Sequence, residues 1–256
     1  MLDFCKMKGK HVLITGGGSG IGRQTAIVLD ELGAKVTLIG STENKLIDSL
    51  SLLKGKEHSF YVTDLSQIDL IEPLLLNIIK EKGGFDGFVH SAGIVKNLPL
   101  VNYKFERLHK IMLVNFYSFF EIVRILSKKG RFNSGMSIVG VSSVAATQGA
   151  TAQAAYSASK AAMNGAMRSL AKELGEKGIR LNTVLPAATN TAMYEDFKRM
   201  QSNMREEDLL IKANPRQYLG MNDPLDVANA IVFLLSSASC KITGVQLPVD
   251  GGFASC

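Results

Sequence analysis

Apolar positions along the chain fall into two alternating kinds of segment. Short, β-branched-rich runs at His11–Thr15, 35–39, Ser59–Val62, 87–90, 137–141, 180–184 and 245–249 read as strands buried on both faces. Between them, apolar residues recur with helical spacing at 20–32, 42–53, 106–126, 156–174 and 225–235. Gly33 and Gly55 sit where the first two helices should stop, and Ser41 or Thr42 suits the start of the second. This alternation predicts an α/β fold: a doubly wound parallel sheet of about seven strands with helices on both faces, one domain over 1–256. One segment breaks the pattern. Residues 193–217 are polar, charged and methionine-containing, which predicts a helical flap covering a site.

Composition narrows the classes. The 256 residues are 46% hydrophobic and 20% charged, as in an ordinary globular protein. No apolar run approaches the length of a membrane span, and the first ten residues contain no apolar core of a secretory signal. Cys5, Cys240 and Cys256 are few and scattered, so they read as free thiols in a reducing, cytoplasmic setting. The four histidines show no metal-ligand spacing with them, and no metal is expected. The net charge of +6 reads as a solvated basic surface. No basic run is interleaved with aromatics, so nucleic acid is not an expected partner.

Two motifs carry chemistry. Thr15-Gly16-Gly17-Gly18-Ser19-Gly20-Ile21-Gly22 follows the first strand and opens the first helix. Glycines let the backbone approach a phosphate closely, and the helix N-terminus offers unpaired N–H groups to an anion. The second motif is Tyr156 with Lys160, one helical turn apart on the same face. At roughly 5 Å and an effective dielectric of about 20, the ammonium should lower the phenol pKa by about 2 units. That would suit the tyrosine to acid/base work. Tyr194 and Lys198 repeat the spacing, but thirteen residues before Tyr194 stands Leu181, whereas thirteen before Tyr156 stands Ser143. Only the first pair has a hydroxyl placed to hold a substrate oxygen.

Taken in order, these pieces resemble the short-chain dehydrogenase/reductase family, and its β-ketoacyl-acyl carrier protein reductases in general pattern. The glycine loop is similar to the family's Thr-Gly-x-x-x-Gly-x-Gly. Val62-Thr63-Asp64-Leu65 resembles its adenine-contacting acidic segment. Val114-Asn115, Ser142-Ser143 and Tyr156 with Lys160 resemble its catalytic positions. Asn182-x-x-x-Pro186 with Thr191, and Val249-Asp250-Gly251-Gly252, resemble its C-terminal part. The resemblance covers essentially the whole chain and implies a Rossmann-like fold. It also implies Tyr156 as the acid/base, Lys160 as its electrostatic partner and ribose ligand, and Ser143 (with Ser142 as rival) orienting the substrate oxygen. Asn115 would hold the water of a proton relay. Cofactor contacts are implied at Gly16, Gly18, Ser19, Gly20, Ile21, Asp64, Leu65, Ser91, Ala92, Gly93, Tyr156, Lys160, Pro186, Thr189 and Thr191. Three departures stand out: His90-Ser91 in place of two asparagines, Ala187 in place of the glycine after Pro186, and 216–220 before the last helix.

The end of the second strand bears on the dinucleotide. Ile39-Gly40-Ser41-Thr42 lacks the carboxylate that would hold a ribose 2′-OH, and Ser41 and Thr42 offer hydroxyls to a 2′-phosphate. The expected cofactor is therefore NADP, with NAD the alternative. The expected function is an oxidoreductase that interconverts a carbonyl and a secondary alcohol. A 3-oxoacyl thioester on acyl carrier protein is the first substrate candidate, with Lys128, Lys129 and Arg131 as a docking cluster. A sugar or other small-alcohol dehydrogenase is the alternative, and a catalytically silent dinucleotide-binding regulator the reading from another class. The resemblance further implies a homotetramer built on 106–126 and 156–174, with Tyr117, Phe119, Phe120, Met163 and Met167 as interface candidates.

Overall fold

The computed structural model describes residues 5–195 and 217–255. Seven strands form one sheet in the order β3-β2-β1-β4-β5-β6-β7: β1 (His11–Thr15), β2 (Lys35–Gly40), β3 (Ser59–Val62), β4 (Phe85–His90), β5 (Phe132–Val141), β6 (Arg180–Pro186) and β7 (Gln246–Val249). Every pairing is parallel. The chain leaves β1 toward β2 on one side and returns to β4 on the other. Such a reversal opens a crevice at the C-terminal ends of the two strands.

Alternate side chains of the strands feed two cores, which is why the strand sequences are almost continuously apolar. Leu13, Phe88, Ile138 and Leu181 point to one face and meet α3 (Ile71–Lys82), α5 (Ser118–Leu126) and α7 (Ala154–Gly175). Val12, Ile14, Val89, Val139 and Val184 point to the other and meet α1 (Gly20–Glu31), α2 (Glu43–Ser51) and α8 (Pro224–Leu235). Helix α8 starts with a capping box in which Asp223 and Asp226 exchange bonds with each other's backbone N–H groups, with Pro224 in the first turn.

Two helical features were not anticipated. Helix α3, buried through Ile71, Leu75 and Ile78, follows a 3-10 turn at Ile68–Leu70 and carries Pro73 in its first turn. The stretch 106–126 is not one helix. It divides into α4 (Phe105–Met112), a π turn at Leu113–Tyr117 and α5. The π turn places Val114 and Asn115 inside the protein, and such turns recur at functional sites. A four-residue helix, α6 (Ala145–Gln148), links β5 to α7.

Burial revises the interface candidates. Phe119, Met163 and Met167 are fully buried in the core, while Tyr117 and Phe120 remain 40% and 43% exposed. Phe105 is 72% exposed and stacks on His109, which in turn meets Tyr117. The cluster before β5 is also revised. Arg124, Lys128 and Arg131 all bond Glu72, at 2.7, 3.4 and 3.0 Å. Chiefly through Arg124 and then Arg131, they hold the Glu72 carboxyl down at about 2. This cluster lies at the N-terminal end of β5, the opposite end of that strand from Ser143. Of the proposed flap at 193–217, residues 196–216, including Lys198, lie outside the described residues.

Candidate active site

The glycine loop leaves β1 and is fixed by Gly16 N–H donating to the Ile39 carbonyl (2.8 Å). Gly16 has φ +70°, and a Cβ there would lie 2.7 Å from the Ala92 nitrogen. A Cβ on Gly22 would collide with the Gly16 carbonyl. These two glycines let β1, the 90–93 segment and α1 close on one another. Ser19 is the N-cap of α1, yet its side chain makes no capping bond, and the first turn contains no acid. The leading N–H groups of α1 are thus disposed toward an anion, as a pyrophosphate requires. Thr191 packs its methyl against Gly20, where a Cβ would sit 3.2 Å from it, so the segment after β6 meets the loop. Thr189 and Thr191 hydroxyls bond the Ala187 and Thr189 carbonyls. Ile21 packs against the core and Leu65 is buried within it, so these two present backbone rather than side chain to the crevice.

The end of β2 lies beside the end of β3, Thr63 N–H donating to the Gly40 carbonyl (2.9 Å). Asp64 is exposed at this edge and accepts from Ser66 N–H. Ser41 and Thr42 are exposed, and Thr42, the N-cap of α2, makes no side-chain cap bond. The Arg23 guanidinium ties loop to helix: it donates to the Gly18 carbonyl (2.6 Å) and to Ser49 Oγ (2.9 Å). Lys45 stands against Gly18.

The catalytic candidates converge at the C-terminal end of β5. Consecutive residues leaving a strand point to opposite sides, and this separates the two serines. Ser142 is buried and donates to the Lys160 carbonyl (3.3 Å), so it serves the backbone. Ser143 accepts from Ala145 N–H (3.1 Å) and places its hydroxyl on the Tyr156 phenol. Lys160 is buried, donates to the Val141 carbonyl (2.7 Å) and lies 5.8 Å from the Tyr156 ring centre.

The expected lowering of the Tyr156 pKa is not found. Tyr156 is half-buried by surface area yet densely enclosed, and this desolvation pushes its pKa above the ordinary phenol value, with the Ser143 hydroxyl partly opposing the rise. The ammonium that was expected to dominate is turned onto a carbonyl, and burial depresses its own pKa to about 8. Tyr156 is accordingly a proton donor at neutral pH.

The depressed lysine has a consequence for stability. Between pH about 8 and 10.5 the unfolded chain binds a proton at Lys160 that the folded chain does not, so stability rises with pH across that window. Below it, burying the charge costs on the order of 3 kcal/mol. Lys160→Met is expected to raise Tm at pH 7 by a few degrees, with the advantage shrinking by pH 9.5. Calorimetry at the two pH values checks this; an equal difference at both contradicts it.

Asn115 is buried in the π turn. Its amide exchanges bonds with the backbone of Ile94 (2.8 and 3.0 Å) and donates to Ser159 Oγ (3.0 Å), which donates to the Tyr156 carbonyl (2.7 Å). The side chain thus braces the 93–94 segment against α7. It leaves the backbone of the turn, rather than the amide, as the group that would hold a relay water. Gly93 closes the arrangement, since a Cβ there would lie 3.3 Å from Lys160 Nζ. Ala187 donates its N–H to the Val249 carbonyl (3.2 Å). Pro186 accepts from Val144 N–H (3.1 Å). Sequence reasoning missed Thr15, Val141, Ser159 and Asn222. Three of them act through contacts with no spacing signature, but Thr15, the first residue of the glycine motif, could have been flagged. Asn222 bridges Thr189 and donates to the Val249 carbonyl (2.5 Å).

Known proteins resemble the chain along nearly its whole length. Residues 16–254 match the family model described as enoyl-(acyl carrier protein) reductase. The chain is 32% identical to a 3-oxoacyl-acyl-carrier-protein reductase of Chlamydia trachomatis, over 96% of this chain and 97% of the relative. It is also 32% identical to a 2,5-dichloro-2,5-cyclohexadiene-1,4-diol dehydrogenase of Sphingobium indicum, over 97% and 98%. Among solved structures, an aldohexose dehydrogenase of Thermoplasma acidophilum superposes with a TM-score of 0.86 at 25% identity, covering 99% of this chain and 97% of that one.

Proposed function

Because the chain belongs to the short-chain dehydrogenase/reductase family, and so is an oxidoreductase using a nicotinamide dinucleotide, we propose that it reduces a carbonyl to a secondary alcohol with NADPH. The observation that carries this reading is the convergence of Ser143, Tyr156 and Lys160 at the C-terminal end of β5, beside the uncapped start of α1. The bound dinucleotide supplies the hydride. Ser143 holds the carbonyl oxygen by donating to it, and Tyr156, protonated at neutral pH, gives that oxygen its proton. Lys160 stabilises the phenolate left behind, and the π-turn backbone at Asn115 holds the water that restores the proton. Gly16, Gly18, Ser19 and Gly20 would hold the pyrophosphate, Asp64 and Leu65 the adenine, and Pro186, Thr189 and Thr191 the nicotinamide, with Thr191 already packed against Gly20. NADP is preferred to NAD because Gly40 offers no carboxylate while Ser41, Thr42, Arg23 and Lys45 offer donors.

The substrate class we assign is a 3-oxoacyl thioester, on the likeness to the 3-oxoacyl-acyl-carrier-protein reductases, which fits the relatives over nearly full length. The second reading, a sugar or cyclic-diol dehydrogenase, draws on the diol and aldohexose dehydrogenases. Glu72 shares its one charge among Arg124, Lys128 and Arg131, so the Lys128, Lys129 and Arg131 cluster keeps a net positive charge that an acidic carrier protein could meet. NADPH oxidation with a 3-oxoacyl thioester, compared with NADP reduction by aldohexoses and cyclic diols, separates the readings. The expected kcat/KM is at least about tenfold higher on the thioester, a modest discrimination for a pocket. The reverse order favours the second reading, and firm NADPH binding with no turnover on any of them favours a silent regulator. The exposed face of Phe105, Tyr117 and Phe120 supports a homotetramer. No helix among the described residues is long and apolar enough to cross a membrane, and with Cys5 and Cys240 unpaired a cytoplasmic setting fits.

A further inference from the structure

His90 ends β4 in register with Thr15 at the end of β1, directly beneath the glycine loop. It is fully buried, and the rings of Phe88 and Phe119 lie 6.0 and 5.5 Å from its own. Its Nδ1 is 2.9 Å from Thr15 Oγ1. That hydroxyl oxygen already accepts from Ala92 N–H at 3.4 Å, and its proton needs an acceptor that Nδ1 is placed to provide. The tautomer that results carries its hydrogen on Nε2. Nε2 has no hydrogen-bond partner, although the Val114 and Asn115 backbone groups of the π turn lie near enough to pull the ring toward protonation. Burial and the nearby Lys160 ammonium outweigh that pull and hold the ring neutral, with a pKa of about 3. A buried donor left without an acceptor beside the π turn, where the Val114 carbonyl already accepts from Ser118 Oγ (2.7 Å), is costly unless it is used.

We propose that His90 is a positioning residue: as the Nε2–H tautomer fixed by Thr15, it offers its spare donor to the Val114–Asn115 backbone and so biases the π turn that carries the relay water. It thereby couples the dinucleotide loop, through Thr15, to the proton supply of Tyr156. This inference rests on the function proposed above for its kinetic consequence, but not for its geometry. The simpler alternative is a core histidine that fills space between two phenylalanines.

Two measurements test it. In the wild-type protein labelled with 15N-histidine, long-range 1H–15N correlation should resolve the His90 ring, told apart from the buried rings of His11 and His58 by its loss in His90→Asn. Its Nε2 should be protonated and its Nδ1 bare, unchanged across neutral pH. An Nδ1-protonated ring overturns the proposal whether or not the protein turns over any substrate. In kinetics, His90→Phe should lower kcat about tenfold and shift the apparent pKa of the kcat profile, with NADPH affinity within about twofold, and His90→Asn should recover most of the loss. Loss of cofactor affinity and kcat in parallel in both variants, or no kcat loss in His90→Phe, overturns it. A wild type without turnover sinks the function proposed above and leaves the tautomer measurement to decide this one.

Discussion

Tyr156→Phe is expected to lower kcat about a thousandfold while leaving NADPH affinity within a few fold. The change removes one oxygen and keeps the ring, so helix α7 and the Lys160 bond to the Val141 carbonyl stay as they are. What disappears is the phenol hydroxyl that meets the Ser143 hydroxyl and would give the substrate oxygen its proton. General acid catalysis of this kind contributes roughly 10²- to 10⁴-fold. Because burial raises the phenol pKa, the wild-type enzyme should reduce its substrate at a rate flat through neutral pH on the acid's account. Fluorescence titration with NADPH and steady-state rates on the same preparations check both halves. A variant retaining more than a tenth of the wild-type kcat contradicts the assignment of the proton to Tyr156.

Gly40→Asp is expected to reverse the dinucleotide preference by roughly a hundredfold. Gly40 ends β2, its φ is ordinary, and a Cβ there meets only the tip of Leu46 at 3.3 Å, so the substitution is accommodated. A carboxylate at this strand end bonds a ribose 2′-OH and repels a 2′-phosphate. Like charges about 5 Å apart at an effective dielectric of about 20 cost on the order of 3 kcal/mol, which is about a hundredfold in Kd. The ratio of NADPH to NADH dissociation constants in the two proteins is the readout. An unchanged ratio would mean that Arg23 and Lys45, rather than the missing carboxylate, govern the choice.

The strands were legible because a parallel sheet covered on both faces demands near-continuous apolar runs; six were located to within two residues, while β5 begins five residues before the expected 137 through an exposed, polar start. Helix α3 was not, because its buried triad Ile71, Leu75 and Ile78 is embedded in other apolar residues that blur the 3.6-residue period. The π turn at Leu113–Tyr117 has no signature in a stretch whose periodicity simply continues. The choice between Ser142 and Ser143 was a matter of spacing in the sequence and became one of direction in the structure. The electrostatics were the least legible. Tyr156 and Lys160 were close enough for strong coupling, but their separate burial and the Val141 carbonyl decide where each titrates. The charge cluster at Lys128 and Arg131 reads as a free patch only until Glu72, more than fifty residues away, folds against it.

Hydride transfer into a carbonyl carbon is the step that defines the proposed activity. With NADPH deuterated at the nicotinamide C4 and a 3-oxoacyl thioester as acceptor, the product alcohol should carry deuterium on its carbinol carbon in the wild type, and no measurable product should form with Tyr156→Phe in the same time. Product lacking deuterium, or firm NADPH binding with no transfer to this or any other ketone offered, would contradict it.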